Sequence, residues 1–387
     1  CLMLFITICF LSSCLSIKNS LTGNINELSP VEVEFTKLRN IKDENLKDYN
    51  FEDKALLDTK VSIKETLKNN NIDINNFKDN LTVYYYNTNL TLRDALGKSA
   101  STTEKTFPFM HFDEQEQVMS ISDYNKVAKL YGNKTYTLKE NEYIVIADYN
   151  SMINIRNVAL KDKESINING INLVPKYTEC KYGFVDIGAQ HLNIGIIVVP
   201  DNVLKENTIS TEILLANFNS KNKNEKIKIN NELANLEETH YKTHVLSYNT
   251  KLDMLESSIG LGALVTFIGL YLGIIFLISS AAILALKELS ESTDNKERYK
   301  MIRKLGADEK MINKALFNQI FIFFMIPLSL AIVHSIFGIK FANKILGTMG
   351  ISGLTSSITM TFIFLVLIYG GYFLLTYFAS KNIIREK

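Results

Sequence analysis

Three short patterns in this sequence contain residue types that do chemistry, and each can be held against the spacing that its chemistry needs. Gly97, Lys98 and Ser99 match the end of a phosphate-binding loop, in which backbone N–H groups wrap the phosphates and lysine and hydroxyl side chains close on them. The glycine required five positions earlier is Leu92, so the loop cannot wrap a phosphate in that way. His240 and His244 have the i, i+4 spacing that lets two imidazoles share a metal on one helix face, but no HExxH motif and no third ligand accompany them. Asp186, His191 and several serines are the residue types of a nucleophilic triad, yet geometry defines a triad and sequence order does not. We expect no catalytic, cofactor-binding or metal-binding residue, and the chain is read as not an enzyme.

Cysteine chemistry is equally sparse. Of the four cysteines, Cys1, Cys9 and Cys14 lie in one apolar run, which leaves Cys180 alone in the polar part and excludes a disulfide within it. The net charge of +1 gives no basic field for nucleic acid.

The elements that would position any site divide by hydropathy. Residues 1 to 16 and 259 to 380 hold long apolar runs, and the residues between them are rich in Asn, Lys, Asp and Glu. The first run, CLMLFITICFLSSCLS, is read as a truncated membrane helix over residues 1–17 whose beginning is missing. A competing reading takes LSSC, ending at Cys14, as a lipoprotein cleavage box, and both readings put residue 20 onward outside. Three further spans are expected at about 259–286, 315–337 and 358–379. Pro327 should bend the second of these, and the hairpin Gly338 to Ser357 is short. His334 is the only ionisable side chain inside a span, and it sits near the outer end.

Basic residues set the orientation. Lys287, Lys296, Arg298, Lys300, Arg303, Lys304, Lys310 and Lys314 cluster in one loop, whereas the opposite hairpin has only Lys340 and Lys344. The loop should be cytoplasmic and the polar region, residues 18–256, extracytoplasmic. The fold class that follows is an α-helical multi-pass membrane protein with a large mixed α/β extracytoplasmic domain between the first span and the last three.

Within that domain, a strand at Gln117 to Ile121, a helix capped by Ser122 and stopped by Gly132, and a strand at Tyr143 to Ala147 read as β-α-β. Ile194 to Val199, a turn at Pro200 and Asp201, and Glu212 to Ala216 read as a second such unit. A helical stretch is expected near Asp58 to Lys68. Residues 220 to 256 look like helix leading into the membrane, with Tyr241 to Tyr248 open to either helix or strand.

The cytoplasmic loop 287–314 carries the clearest pattern. Asp294 to Leu305 is amphipathic, with Tyr299, Ile302 and Leu305 on one stripe. Gly306 can close this helix in a left-handed conformation, and Asp308 can cap the next. Such a loop also satisfies the positive-inside rule with a helix lying on lipid. The segment ERYKMIRKLGADEKMI, Glu297 to Ile312, closely resembles the cytoplasmic signature of the FtsX-like permease family of ABC transporters. The order of one span, a large outer domain, three spans and a basic tail is similar to the C-terminal half of the bacitracin-export type, with the four-span macrolide-export type as the near alternative.

The resemblance implies a permease subunit in the cell membrane whose ATPase, with its ATP and Mg, is a separate chain. It implies docking on that ATPase through Glu297, Arg298, Ile302, Arg303, Lys304 and Leu305, with the turn made by Gly306 and Ala307. Residues 257–387 would be the FtsX-like permease domain. The function implied is export of, or resistance to, antimicrobial peptides or similar amphipathic or lipid-like compounds. The alternatives are a mechanotransmission protein of the same fold that regulates a sensor kinase or cell-wall hydrolase, and a membrane-anchored binding domain with no ATPase.

Overall fold

Apolar runs too long to alternate fold as helices, and the β-branched runs between them fold as strands. The computed structural model describes residues 1–40, 59–108, 110–240, 246–347 and 354–385. In chain order it contains α1 (Leu2–Leu28), β1 (Val33–Leu38), α2 (Ile63–Asn69), β2 (Phe77–Tyr86), α3 (Leu92–Leu96), α4 (Ala100–Thr106) and β3 (Val118–Ser120). There follow α5 (Ile121–Tyr131), β4 (Glu142–Ala147), α6 (Asn150–Lys161), β5 (Ile166–Ile168), β6 (Ile171–Pro175), β7 (Lys181–Tyr182), β8 (Ile196–Val199) and β9 (Ile209–Phe218). The remainder is α7 (Lys223–His240), β10 (Leu246–Thr250), α8 (Lys251–Asp294), α9 (Lys296–Lys304), α10 (Glu309–Gly347) and α11 (Leu354–Ile384). Two compact units result: Cys1–Leu21 with Ile259–Lys387, and Thr22–Ser258.

The Thr22–Ser258 unit is built on a ten-stranded mixed sheet in the order β10-β1-β9-β2-β3-β8-β4-β6-β5, with β7 beside β4. Strand β8 explains the run of Ile196, Ile197, Val198 and Val199. Ile196 and Val198 pack with Met119, Ile144 and Ile146 on one face, while Ile197 and Val199 pack with Val118, Tyr143 and Val145 on the other. A strand covered on both faces loses the polar alternation of a one-sided strand. Each such side chain contributes about 1.5–3 kcal/mol of burial.

Two local expectations change. Ser120, not Ser122, caps α5, accepting the Asp123 N–H at 3.1 Å. Ser122 instead donates its N–H to Asp201 at 3.1 Å, and Gly132 ends the helix at φ +71°. The β3–α5–β4 segment is not a parallel crossover, because β8 lies between the two strands, parallel to β3 and antiparallel to β4. Residues 220–256 hold helix on either side of a strand, the alternative left open at Tyr241 to Tyr248. Strand β10 interrupts them, pairing Thr250 with Val33 and Tyr248 with Phe35 of β1. Asp58 and residues 241–245, including His244, lie outside the described residues.

Among the described residues, four helices are long and apolar enough to cross a membrane, and most of their length belongs to the other unit: Leu2–Leu28, Lys251–Asp294, Glu309–Ile345 and Ser357–Ile384. Water is absent from such an interior, so shape complementarity and hydrogen bonds hold it. A Cβ built on Gly269 would stand 2.5 Å from the Cys14 Cβ, so α1 and α8 meet at a point only glycine allows. Cys14 is buried within α1. The Tyr369 hydroxyl donates to the Phe324 carbonyl at 2.8 Å, and Phe324 packs edge-on against Tyr369 and Phe373. Helix α10 continues through Pro327 and on to Gly347. Lys340 and Lys344, expected in a hairpin, thus belong to α10, and residues 348–353 of that hairpin lie outside the described residues.

Candidate functional site

The stretch expected as a loop at 287–314 is mostly helix. Helix α8 does not stop at Leu286, because Glu288 and Ser292 extend the buried face that Leu277, Ala281 and Ala285 begin. After Asn295 the chain turns into α9, which ends at Leu305. Gly306 has φ +92°, the left-handed conformation expected of it, and a side chain there would meet nothing within 4 Å. The Gly306 N–H reaches the Arg303 carbonyl at 2.9 Å, and the Ala307 N–H reaches the Ile302 carbonyl at 3.2 Å, which satisfies the free helix end. Asp308 then receives the Lys310 N–H on its side chain at 3.3 Å as α10 starts.

Polar contacts fix α9 to the helices around it. The Tyr299 hydroxyl donates to Gln319 Oε1 at 3.3 Å, and Gln319 Nε2 donates to Glu288 Oε1 at 3.0 Å. Glu288 is fully buried, and among the described residues its Oε2 has no partner. Arg303 reaches in two directions, with Nε 2.6 Å from Glu309 Oε1 and Nη1 2.8 Å from the Ile384 carbonyl. It closes a polar cleft of about 430 Å³ with Asn313, Lys381 and Arg385. Among the expected docking residues, Glu297, Arg298, Ile302, Lys304 and Leu305 are exposed, while Arg303 and Ala307 are half-buried. Leu305 is 87% exposed, and Met301 and Ile302 stand beside it at 58% and 42%. The stripe therefore splits, with Tyr299 turned into the bundle and Ile302 and Leu305 turned out.

The other sequence candidates fall apart or serve structure. At Gly97 the Glu164 carboxyl occupies the space above the backbone, 2.7 Å from where a Cβ would be, and pairs with Lys98. A carboxylate stands where a phosphate would have to bind. His191 is held by Asp148 at 3.2 Å, which raises its pKa, whereas Asp186 accepts the Tyr85 hydroxyl at 3.2 Å. Among the described residues no group of three metal-ligating side chains converges. His334 Nδ1 stays with the Leu330 carbonyl of its own helix at 2.8 Å.

Several features carry no sequence pattern of their own. Arg156 and Glu116 form a buried bidentate pair at 2.5 and 2.9 Å. Burial and the Asp186 carboxyl push Glu34 up to about 8, while the Ile187 N–H at 2.5 Å and the Thr36 hydroxyl favour its charged form. Asp186 lines a cleft of about 590 Å³ with Glu114, Glu116 and Asp148. Gln319 had a visible signal, as an amide within an apolar run.

No family model matches the chain. It is 22% identical over 271 residues to the ABC transporter permease protein YxdM of Bacillus subtilis, covering 69% of this chain and 41% of that protein. An uncharacterized ABC transporter permease, YvcS, of the same organism is 21% identical over 293 residues, covering 74% of this chain and 43% of the relative. These matches support the ABC transporter permease family. The bacitracin export permease protein BceB of Bacillus subtilis is also similar, at 35% identity over 91 residues, or 24% of this chain and 14% of that permease. The chain thus spans less than half the length of these permeases. Their names describe permeases.

Proposed function

We propose that this chain is part of an FtsX-like ABC transporter permease in the cell membrane, with α9 as the element that docks on a separate ATPase chain. The observation that carries the reading is the pairing of an exposed apolar tip, Met301, Ile302 and Leu305, with rigid anchorage through Tyr299 and Arg303. A tip that a partner covers and an anchor that cannot swivel are what force transfer needs. Glu297, Arg298 and Lys304 would give the docking surface its charge, and Arg303 would act by holding the turn at Gly306 and Ala307. ATP and Mg would be bound by the partner. The basic residues around α9 support a reading in which it lies on the cytoplasmic side and the sheet unit is extracytoplasmic.

The cargo class we favour is an antimicrobial peptide or a similar amphipathic compound. This rests on the resemblance and on the name of one relative. The test is affinity purification of the protein from its native membrane with Leu305 intact or replaced by Asp. Recovery of an ATPase that Leu305→Asp loses, with membrane integration unchanged, supports docking. Equal recovery from both proteins overturns it.

A further inference from the structure

A second cleft lies wholly among the apolar helices, and its lining is unlike that of the clefts in the sheet unit. It has a volume of about 380 Å³ and is formed by Ile8 of α1, Ile332, Ile336 and Ile339 of α10, and Phe362 and Leu365 of α11, among others. The hydroxyls along it are already satisfied. Ser12 donates to Thr361 at 3.0 Å, Ser335 to the Ala331 carbonyl at 2.8 Å, and Thr361 to the Ser357 carbonyl at 2.9 Å. Its walls therefore offer hydrocarbon to an occupant and no open hydrogen-bond donor.

One end is different. Among the described residues Lys340 is the one charged residue that lines the cleft, and it is exposed. Lys344, also exposed, follows one turn later on the same side of α10. Lys340 stands seven residues before the helix end at Gly347, or roughly 10 Å along the axis, a depth at which a lysine reaches headgroup level. In a bilayer, an apolar cleft open at Ile332 and Ile336 fills with a hydrocarbon chain.

We propose that this cleft holds an acyl chain of an anionic phospholipid, with its phosphate on Lys340. The charge decides the class. A zwitterionic headgroup brings its own cation beside the lysine, and one lysine near anionic lipid favours binding by about fivefold. The proposal rests on the reading that α10 and α11 cross a bilayer, which resistance to alkaline carbonate extraction tests separately.

The experiment is native mass spectrometry of the full chain released from nanodiscs of equal phosphatidylglycerol and phosphatidylcholine. Wild-type protein should retain phosphatidylglycerol by roughly fivefold over phosphatidylcholine. Lys340→Gln should abolish that preference, Lys340→Arg should keep it, and Ile336→Trp should reduce retention of both lipids by filling the cleft. Equal retention by the wild-type protein, or a preference that survives Lys340→Gln, overturns the proposal. So does a cross-link from Ile336→Cys to another part of the chain seated in the cleft. Release of the protein by carbonate would instead remove the bilayer reading itself.

Discussion

Gln319 on α10 donates its side-chain amide to Glu288 on α8 across 3.0 Å, and its carbonyl oxygen accepts the Tyr299 hydroxyl of α9. Both ends of one amide are used, so its orientation is fixed and three helices share it. Displacing α9 breaks a half-buried bond or carries α8 and α10 with it. Gln319→Leu would leave Glu288 buried without its donor, at about 1–3 kcal/mol. The expected outcome is a lower thermal midpoint in detergent, with Tyr299→Phe less costly because it removes only the longer bond.

Gly306→Val isolates the turn from its surroundings. No neighbour stands within 4 Å of the new side chain, so the whole effect is the cost of φ +92° for a β-branched residue, of the order of 1–3 kcal/mol. The helices should still insert. Copurification with an ATPase should fall, and Gly306→Asn should retain more of it than Gly306→Val, because Asn tolerates left-handed backbone.

At the α1–α8 contact, Gly269→Ala places a methyl 2.5 Å from the Cys14 Cβ and should destabilise the bundle by about 1–3 kcal/mol. Cys14→Gly should restore most of that loss in the double variant. A double-mutant cycle on thermal midpoints checks it, and strictly additive losses would mean the two helices do not meet there.

The sheet unit should be more stable in mild acid. Burial and the Asp186 carboxyl push Glu34 up to about 8 in the folded state, well above the ordinary carboxylate range, so the folded state holds a proton that the unfolded state releases. Stability is then full below about 4.5, declines as pH rises towards 8, and levels off above. Asp186, also shifted up by burial, adds in the same direction. Amide exchange of β1 and β9 followed from pH 5 to 9 reads the slope, and Glu34→Gln should flatten it.

The legible parts of this chain were those with a period or a run. Ile259 to Leu286 announced a long apolar helix, Ile196 to Val199 a buried strand, and Gly306 a left-handed turn, because each follows from local sterics or from an unbroken apolar run. Strand order was not legible. Nothing in β3, α5 and β4 says that β8, some fifty residues later, inserts between them, since that choice is made by faces meeting at long range. The end of α8 was misread for a related reason. Glu288 and Ser292 look like solvent-facing loop residues until Gln319 supplies one of them with a partner. Arg303 read as a docking charge, and only the fold shows it reaching the Ile384 carbonyl.

The Gly269–Cys14 contact has a practical side. Nature has placed a thiol at a helix seam where no reagent can approach while the seam is shut. With Cys1 and Cys9 replaced, the remaining competitor is Cys180, whose thiol burial pushes up to about 11 and so keeps unreactive at neutral pH. Cys14 is then a clock hand: the rate at which a maleimide finds it times the parting of α1 from α8.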